Sequence, residues 1–229
     1  MTKEAILGAI RRGLRRGALP ADQQAMLDAR LTRPPRHLIP ARSQLPRPEQ
    51  IALLVRNIEK EFGTITRVPD ADSVPDAVAD YLAAHNLPSD FVMSPHPELQ
   101  AIPWSRRPML QVRAGRADPS DLVSVQHAFA AIAETGTLMF PSSPERPTTI
   151  NLLPDTAIVV LRASRVVGPY EDAWDLLRAE YGQGAMPRNV MLVTGPSRSA
   201  DIEQTLELGA HGPRRLHVVL IDDDPVVRS

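Results

Sequence analysis

Short apolar runs that alternate with helix-length segments are the feature that most constrains the fold of this chain. The expected strands cover 63–68, 91–93, 110–112, 156–161 and 165–167, and the expected helices begin near Pro48 and cover 73–85 and 170–181. Helices of this length between buried strands favour a parallel sheet that is covered on both faces. The sequence therefore predicts an α/β fold, a mostly parallel sheet flanked by helices, with an N-terminal helical arm.

The middle of the chain is ambiguous, because the apolar residues from Val123 to Ala133 fit a strand or a helix equally well. Gly136 interrupts the run, and a strand is expected to resume over 137–140. Glu134 to Thr137 is therefore predicted to be a turn between two elements.

A third pattern lies near the C-terminus, where the apolar run 190–194 is followed by a turn at Gly195. We expect a helix over 199–208 and a strand over 216–221, which together would complete a right-handed β-α-β crossover. Free N–H groups at such a helix start bind anions, so the candidate ligand-binding residues here are Gly195, Ser197, Arg198, Ser199 and Asp201. The alternative is an ordinary capped helix whose acidic residues offset the helix dipole.

Glu134 is the candidate catalytic residue, since apolar sequence on one side and Gly136 on the other should partly desolvate it and allow close approach. Thr135, Gly136 and Thr137 are candidate ligand contacts beside it. The alternative is a buried structural carboxylate that is held by Arg146 or by backbone amides.

Two further residues are candidate ligand contacts. Arg146 is interpreted either as an anion ligand or as the partner of Glu134. His211 is interpreted either as a site residue or as a cation that caps the C-terminus of the last helix.

The N-terminal region has a different composition. Residues 2–16 are predicted to form an amphipathic basic helix, and the prolines of 32–48 predict an extended linker. We therefore divide the chain into an arm over 1–47, an α/β domain over 48–221 and a tail over 222–229. The arm is a candidate surface for homo-oligomer formation.

Composition excludes several classes of function. A net charge of -1 disfavours nucleic acid as a partner, and the absence of cysteine excludes thiol nucleophiles and cysteine-ligated iron–sulfur clusters in this chain. No apolar stretch is long enough to span a membrane and no signal peptide is evident, so we expect a cytoplasmic protein. The histidines show no metal-ligand spacing, so no metal site is predicted, and the dinucleotide, Walker A and hydrolase motifs are missing.

Two motifs in combination carry a family resemblance: Ala133 to Thr137 reads AETGT, and Gly195 to Glu203 reads GPSRSADIE. With Arg146-Pro147 and the Gly209 to Pro213 segment, the chain over roughly 48–221 resembles the lactate utilization protein C (LutC/YkgG) family. Ala157 departs from the histidine often found there, so no role is carried to that position.

The resemblance implies a LUD domain with a fold similar to the NagB/RpiA/CoA-transferase class. It also implies a non-redox subunit of a bacterial system that oxidises L-lactate to pyruvate, binding a small anionic ligand beside partner subunits that carry the iron–sulfur clusters. Whether this chain catalyses a step is left open. The alternatives are a stand-alone enzyme of the CoA-transferase or isomerase type that uses Glu134, and a regulatory or scaffold protein that binds through its N-terminal helix.

Overall fold

A computed structural model describes residues 2–15, 17–182, 184–200, 206–209 and 211–224. The chain divides into two compact units, residues 1–37 and 38–229. The first unit contains helices α1 (Lys3–Gly13) and α2 (Ala21–Thr32), neither of which buries a residue. The hydroxyl of Thr2 caps α1 by accepting from the backbone N–H of Ala5 at 3.3 Å. The amphipathic helix α1 agrees with the sequence prediction, whereas α2 was not predicted.

The second unit begins before the predicted start of the α/β domain. Arg42 pairs with Glu134 at 2.7 Å, and Ser43 is fully buried. Arg47 binds Asp224 at 2.6 Å and donates to the carbonyls of Ala163 and Val166. The proline-containing stretch from Leu38 onward is therefore held to the domain by specific contacts.

The remaining elements follow the predicted alternation for most of the chain. The helices are α3 (Arg47–Lys60), α4 (Val74–Ala84), α5 (Pro97–Gln100) and α6 (Tyr170–Tyr181). The strands are β1 (Thr64–Val68), β2 (Asp90–Met93), β3 (Gln111–Ala114), β4 (Val123–His127), β5 (Ala130–Ile132), β6 (Thr137–Pro141), β7 (Thr156–Arg162), β8 (Val166–Val167), β9 (Val190–Thr194), β10 (Arg198–Ala200), β11 (Leu206–Leu208) and β12 (Arg215–Ile221). Short 3-10 helices cover Ala41–Ser43, Ala71–Ser73, Trp104–Arg106, Thr148–Asn151 and Ala163–Arg165.

The main sheet has six parallel strands in the order β1-β12-β7-β4-β2-β3. Its central strands are buried nearly throughout, as expected where both faces are covered. One face packs against α4 and α5, in a core that includes Val78, Leu82 and Leu99. The predicted α/β fold with a mostly parallel sheet is confirmed.

The other face of the main sheet packs against α3 and a second sheet. That sheet has four strands in the order β8-β5-β6-β9, with β6 antiparallel to both of its neighbours. Ile51, Leu54 and Ile58 of α3 enter the core between the sheets. On the far side of the second sheet, α6 buries Ala173 and Leu177. The ambiguous stretch 123–140 is thus three strands that belong to two sheets.

The predicted helix over 199–208 is wrong. Arg198–Ala200 and Leu206–Leu208 pair instead as an antiparallel ribbon, with Arg198 opposite Leu208. The predicted crossover is also wrong, because β9 joins the second sheet by pairing with β6, whereas β12 lies between β1 and β7 of the main sheet. No helix N-terminus is therefore available at Ser199, and Asp201 lies outside the described residues.

The three aspartates after β12 are anchored to the domain. Asp222 pairs with Arg67 at 2.7 Å, Asp223 accepts from the backbone N–H of Ser164 at 2.9 Å, and Asp224 pairs with Arg47. These residues are therefore held in place rather than frayed. Within the described ranges, no helix has both the length and the apolarity needed to cross a membrane.

Candidate functional site

Charged and polar side chains meet where three neighbouring strands of the main sheet end. His96 follows β2, His127 is the last residue of β4, and Arg162 is the last residue of β7. Because the strands are parallel, their carboxyl ends share one edge of the sheet, where open α/β sheets place their ligand crevices. Glu98 and Arg146 complete this group, and we call the five residues the edge cluster.

The contacts within the edge cluster are close. The rings of His96 and His127 stack with centroids 3.8 Å apart and planes 7° apart. Arg146 Nη2 lies 3.0 Å from His96 Nε2 and 3.4 Å from His127 Nδ1. Glu98 Oε1 lies 3.6 Å from His127 Nε2, and Glu98 Oε2 accepts from Arg162 Nε. One carboxylate thus faces two guanidinium groups and two imidazoles.

The cluster perturbs the protonation of its members. Burial lowers the pKa of His96 to about 4, helped by the positive charges of His127 and Arg146. Burial also lowers the pKa of His127. His127 and Arg162 hold the pKa of Glu98 well below its usual range. At neutral pH both imidazoles are therefore uncharged, and Glu98 is a carboxylate.

Arg146 has no carboxylate partner among the residues that the structure describes. Desolvation by burial lowers its pKa, and its Nε atom is buried without a hydrogen-bond acceptor. Its guanidinium carbon lies 5.7 Å from the centroid of the Phe129 ring. Arg162, in contrast, is neutralised by Glu98 and Asp223. Among the described residues, Arg146 is therefore the guanidinium of the edge cluster without a salt bridge, although the charges of Glu180 and Glu98 act on it at longer range.

Three members of the cluster are of the types that bind metals. One ligand atom from each of His96, Glu98 and His127 lies within 4.8 Å of the others. A metal ion must lie close to the plane of each imidazole that binds it, yet the two rings are stacked face to face. Glu98 is also bonded to Arg162. This arrangement is better suited to an anion than to a cation.

The predicted anion-binding segment lies elsewhere, against the C-terminal end of α3. Arg198 Nη2 binds Glu61 Oε2 at 2.7 Å, and its guanidinium carbon lies 4.6 Å from the centroid of the Phe62 ring. Gly195 has a φ of +75°, and a Cβ there would lie 2.3 Å from the carbonyl oxygen of Glu61. Arg198 is therefore already neutralised, and Gly195 is needed for a close backbone approach.

The other predicted residues of this segment have modest roles. The Ser197 hydroxyl accepts from the backbone N–H of His211 at 3.3 Å, and His211 is exposed. His211 caps no helix, because the described element directly before it is the strand β11. Ser199 lies in β10 opposite Glu207. Gly195, Ser197, Arg198 and His211 line a cavity of about 280 Å³ between the two sheets.

Glu134 is buried as a side chain, with 8% exposure, and its partner is Arg42 at 2.7 Å. The expectation that Arg146 holds Glu134 is wrong, because Arg146 faces His96 and His127. The cation that neutralises Glu134 instead comes from the segment predicted to be a linker. Glu134 is not among the residues that line the 280 Å³ cavity.

The hydroxyl groups beside Glu134 bond to one another. Thr137 Oγ1 lies 2.7 Å from Thr135 Oγ1, 2.6 Å from Thr194 Oγ1 and 3.0 Å from the Tyr170 hydroxyl. Thr137 and Thr194 are also directly opposite in the β6–β9 pair. The last residue of the AETGT motif therefore lies beside the residue that directly precedes the GPSRSADIE motif.

Comparisons with known proteins show what this chain is similar to. Residues 120–221 match the model of the LUD domain. This match covers a little under half of the chain. It is 40% identical over 99 residues to an uncharacterized protein (NMB1437) of Neisseria meningitidis, covering 43% of this chain and 42% of that protein. It is 34% identical over 102 residues to lactate utilization protein C of Bacillus subtilis, covering 44% of this chain and 42% of that protein. The matched region thus spans about two fifths of the length of these relatives.

A solved structure agrees on the fold. A DUF162 family protein from Deinococcus radiodurans matches with a TM-score of 0.58 at 22% identity, covering 77% of this chain and 99% of that one. The LUD domain match of residues 120–221 includes His127, Arg146 and Arg162, whereas His96 and Glu98 precede it.

The sequence analysis missed most of the edge cluster. Arg146 was a candidate, but His96, Glu98, His127 and Arg162 were not. A usable signal existed for His96, Glu98 and Arg162, since they follow the predicted strands 91–93 and 156–161, whereas His127 lies in the run that fitted a strand or a helix. Spacing rules for metal ligands did not find them because His96 and His127 come from different strands.

Proposed function

We propose that this protein is a non-redox component of a bacterial lactate-utilization system and that it binds a small carboxylate, of the lactate and pyruvate class, at the edge cluster. Relatives that are called lactate utilization protein C, and the LUD domain itself, support this assignment. The absence of cysteine supports the division of labour, because iron–sulfur clusters would have to be held by partner subunits. Those partners, the oxidation of lactate to pyruvate and a cytoplasmic location stay predictions.

The buried guanidinium of Arg146, which has no salt bridge among the described residues and no acceptor for Nε, is the observation that carries the carboxylate assignment. A buried guanidinium without an anionic partner costs free energy, and a bound carboxylate would supply the missing charge and the missing acceptor for Nε. The two stacked imidazoles lie against Nη2 of Arg146. A ligand would therefore approach the guanidinium from the Nε side. The geometry favours a single small carboxylate over a bulky polyanion, because Arg162 is already paired.

The alternative of a stand-alone enzyme that uses Glu134 has less support. A nucleophile or general base needs access to substrate, but Glu134 is buried and bonded to Arg42. The scaffold alternative, and homo-oligomer formation through α1, rest on the exposed apolar residues Ile6, Ile10 and Leu14. Both stay predictions.

Calorimetric titration of the purified chain with L-lactate and pyruvate tests the assignment. Arg146→Gln removes a charge-assisted hydrogen bond worth about 1.5–3 kcal/mol, so we expect affinity to fall by about 10- to 150-fold. Arg198→Gln is the matched control, because it removes the same charge from a residue that Glu61 already neutralises. Equal losses in both variants, or no loss in Arg146→Gln, would show that the carboxylate is not bound at the edge cluster.

A further inference from the structure

The cavity between the two sheets is separate from the edge cluster. Gln126 of β4 lines it, whereas the next residue, His127, belongs to the edge cluster. Successive side chains of a strand point to opposite faces of the sheet, so the two places lie on opposite faces of β4. Nothing in the carboxylate assignment uses this cavity, whose volume of about 280 Å³ is close to the lower end of small-molecule sites.

Gln126 lines the cavity and has an unused acceptor. The residue is only 3% exposed, and its Nε2 donates to the carbonyl of Ile150 at 3.0 Å and to Ser124 Oγ at 3.2 Å. The carbonyl of Ile150 accepts only, which fixes the orientation of the amide. The Oε1 atom is then an acceptor, and it is buried without a donor.

Asn151 presents a second unused acceptor. The residue is 7% exposed, its Nδ2 contacts Met191 Sδ at 3.4 Å, and its Oδ1 is buried without a donor. Two unpaired amide oxygens repel an anion and favour a group that donates more than one hydrogen bond. Each buried acceptor without a partner costs free energy that a bound donor would recover.

The other walls of the cavity are largely apolar. They include Phe140, Ala157, Val159, Met191 and Leu216 from strands of both sheets. Such walls suit a flat aromatic ring, and the two amide oxygens suit an amino group on that ring. Arg198 is at the lining but is neutralised by Glu61, so it adds no demand for an anion.

We propose that this cavity binds the amino-bearing face of a nucleobase, as in adenosine or cytidine, with Gln126 and Asn151 accepting hydrogen bonds from the exocyclic amino group. The carboxylate site and the nucleobase site are then two different sites of one domain. The amino group distinguishes the nucleobase from its deaminated analogue, in which a carbonyl oxygen would face the two amide oxygens.

Ligand-detected NMR and calorimetry on the full chain test this directly with two pairs of nucleosides. We expect adenosine and cytidine to bind at least about tenfold more tightly than inosine and uridine, because each deaminated analogue has a carbonyl oxygen in place of the two amino donors and keeps a single ring N–H, so that at least one of the two acceptors stays unpaired. Absence of saturable binding by adenosine and cytidine up to about 1 mM, or equal binding within each pair, would overturn the proposal.

Two variants test the role of Asn151 Oδ1, the buried oxygen without a donor. Asn151→Leu removes Oδ1 at similar volume, so adenosine affinity should fall about fivefold while the unfolding midpoint is not lowered. Thr149→Val is the matched control, because Thr149 Oγ1 is also buried without a partner but Thr149 is not among the residues that line this cavity. Unchanged adenosine affinity in Asn151→Leu, or the same fall in Thr149→Val, would overturn the assignment. The nucleoside comparison on the unaltered chain decides the matter if Asn151→Leu does not fold.

Discussion

Replacing Gly136 by alanine should destabilise the protein, because the glycine of the AETGT motif touches the backbone of α3. Gly136 has a φ of +71°, and a Cβ there would lie 2.8 Å from the carbonyl carbon of Asn57 and 2.9 Å from the amide nitrogen of Ile58. The Asn57 side chain also donates to the carbonyls of Ala133 and Glu134 at 2.8 and 3.1 Å. This turn therefore packs directly against α3 and is hydrogen-bonded to it, and a methyl group at position 136 would force the turn and the helix apart.

The cost has two parts. A left-handed backbone costs an alanine about 1–2 kcal/mol relative to glycine. Overpacking against a backbone that cannot move costs about 1–3 kcal/mol more. We therefore expect Gly136→Ala to lower the free energy of unfolding by about 2–5 kcal/mol, a large share of the roughly 5–15 kcal/mol of a typical domain.

Gly184→Ala is the matched control. Gly184 also has a positive φ, +77°, but nothing lies within 4 Å of the position that its Cβ would take. Only the backbone cost of about 1–2 kcal/mol applies there. The difference between the two variants isolates the contact with α3.

Urea unfolding followed by circular dichroism and by tryptophan fluorescence measures both variants. Gly136→Ala should lose about 1–3 kcal/mol more than Gly184→Ala, which corresponds to a further fall of roughly 2–12 °C in the thermal midpoint. Equal losses of unfolding free energy in the two variants would refute the stabilising contact between this turn and α3. If instead Gly136→Ala kept its stability and lost ligand affinity, the motif would be a ligand contact rather than a packing device.

Two further predictions concern pH. Burial, and then the charge of His85, lowers the pKa of His217 from 6.5 to about 4, so the folded state resists protonation and stability falls as pH drops from 6.5 towards 4. At pH 5 this group alone should cost about 2 kcal/mol relative to pH 8, and His217→Gln should lose that part of the pH dependence in urea unfolding. A bound carboxylate should raise the pKa of His96 from its free value of about 4, so pyruvate affinity should increase as pH falls below 6.5. Calorimetry in buffers of different ionisation enthalpy would reveal the accompanying proton uptake, and an affinity that is constant from pH 7.5 to 5 would contradict it.

The sequence predicted most elements because their signals are local. An amphipathic face specified α3, and compact apolar runs specified β1, β7 and β12, within a residue or two of their observed bounds. The prediction of a helix over 199–208 was wrong because the structure of this segment depends on tertiary contacts. Its serines and acidic residues resemble a helix start, but Arg198–Ala200 pairs with Leu206–Leu208, and Ser197 donates its backbone N–H to the carbonyl of Pro213 at 2.8 Å. Tertiary pairing of this kind overrides local propensity.

The sequence also did not reveal which strands pair with one another. The apolar run of β9 reads as a buried parallel strand, and nothing in its residues says that it pairs antiparallel with β6. The contact between Glu134 and Arg42 was hidden in the same way, because the two residues are far apart in sequence and the prolines near Arg42 suggested a free linker. Motif pairing still pointed to real proximity, since Thr137 and Thr194 are in direct contact.

The alternation of side chains along β4 explains how one short strand serves two chemistries. Val125 and His127 face the layer of α4 and α5, whereas Ser124 and Gln126 face the second sheet. The first face ends in neutral imidazoles against a guanidinium whose Nε has no acceptor, which favours an anion. The second face ends in the Gln126 amide, whose N–H groups are hydrogen-bonded and whose oxygen accepts no hydrogen bond. This face therefore favours a ligand that donates. Because the sheet separates the two faces, a carboxylate and an amino-bearing ring would not compete for the same residues.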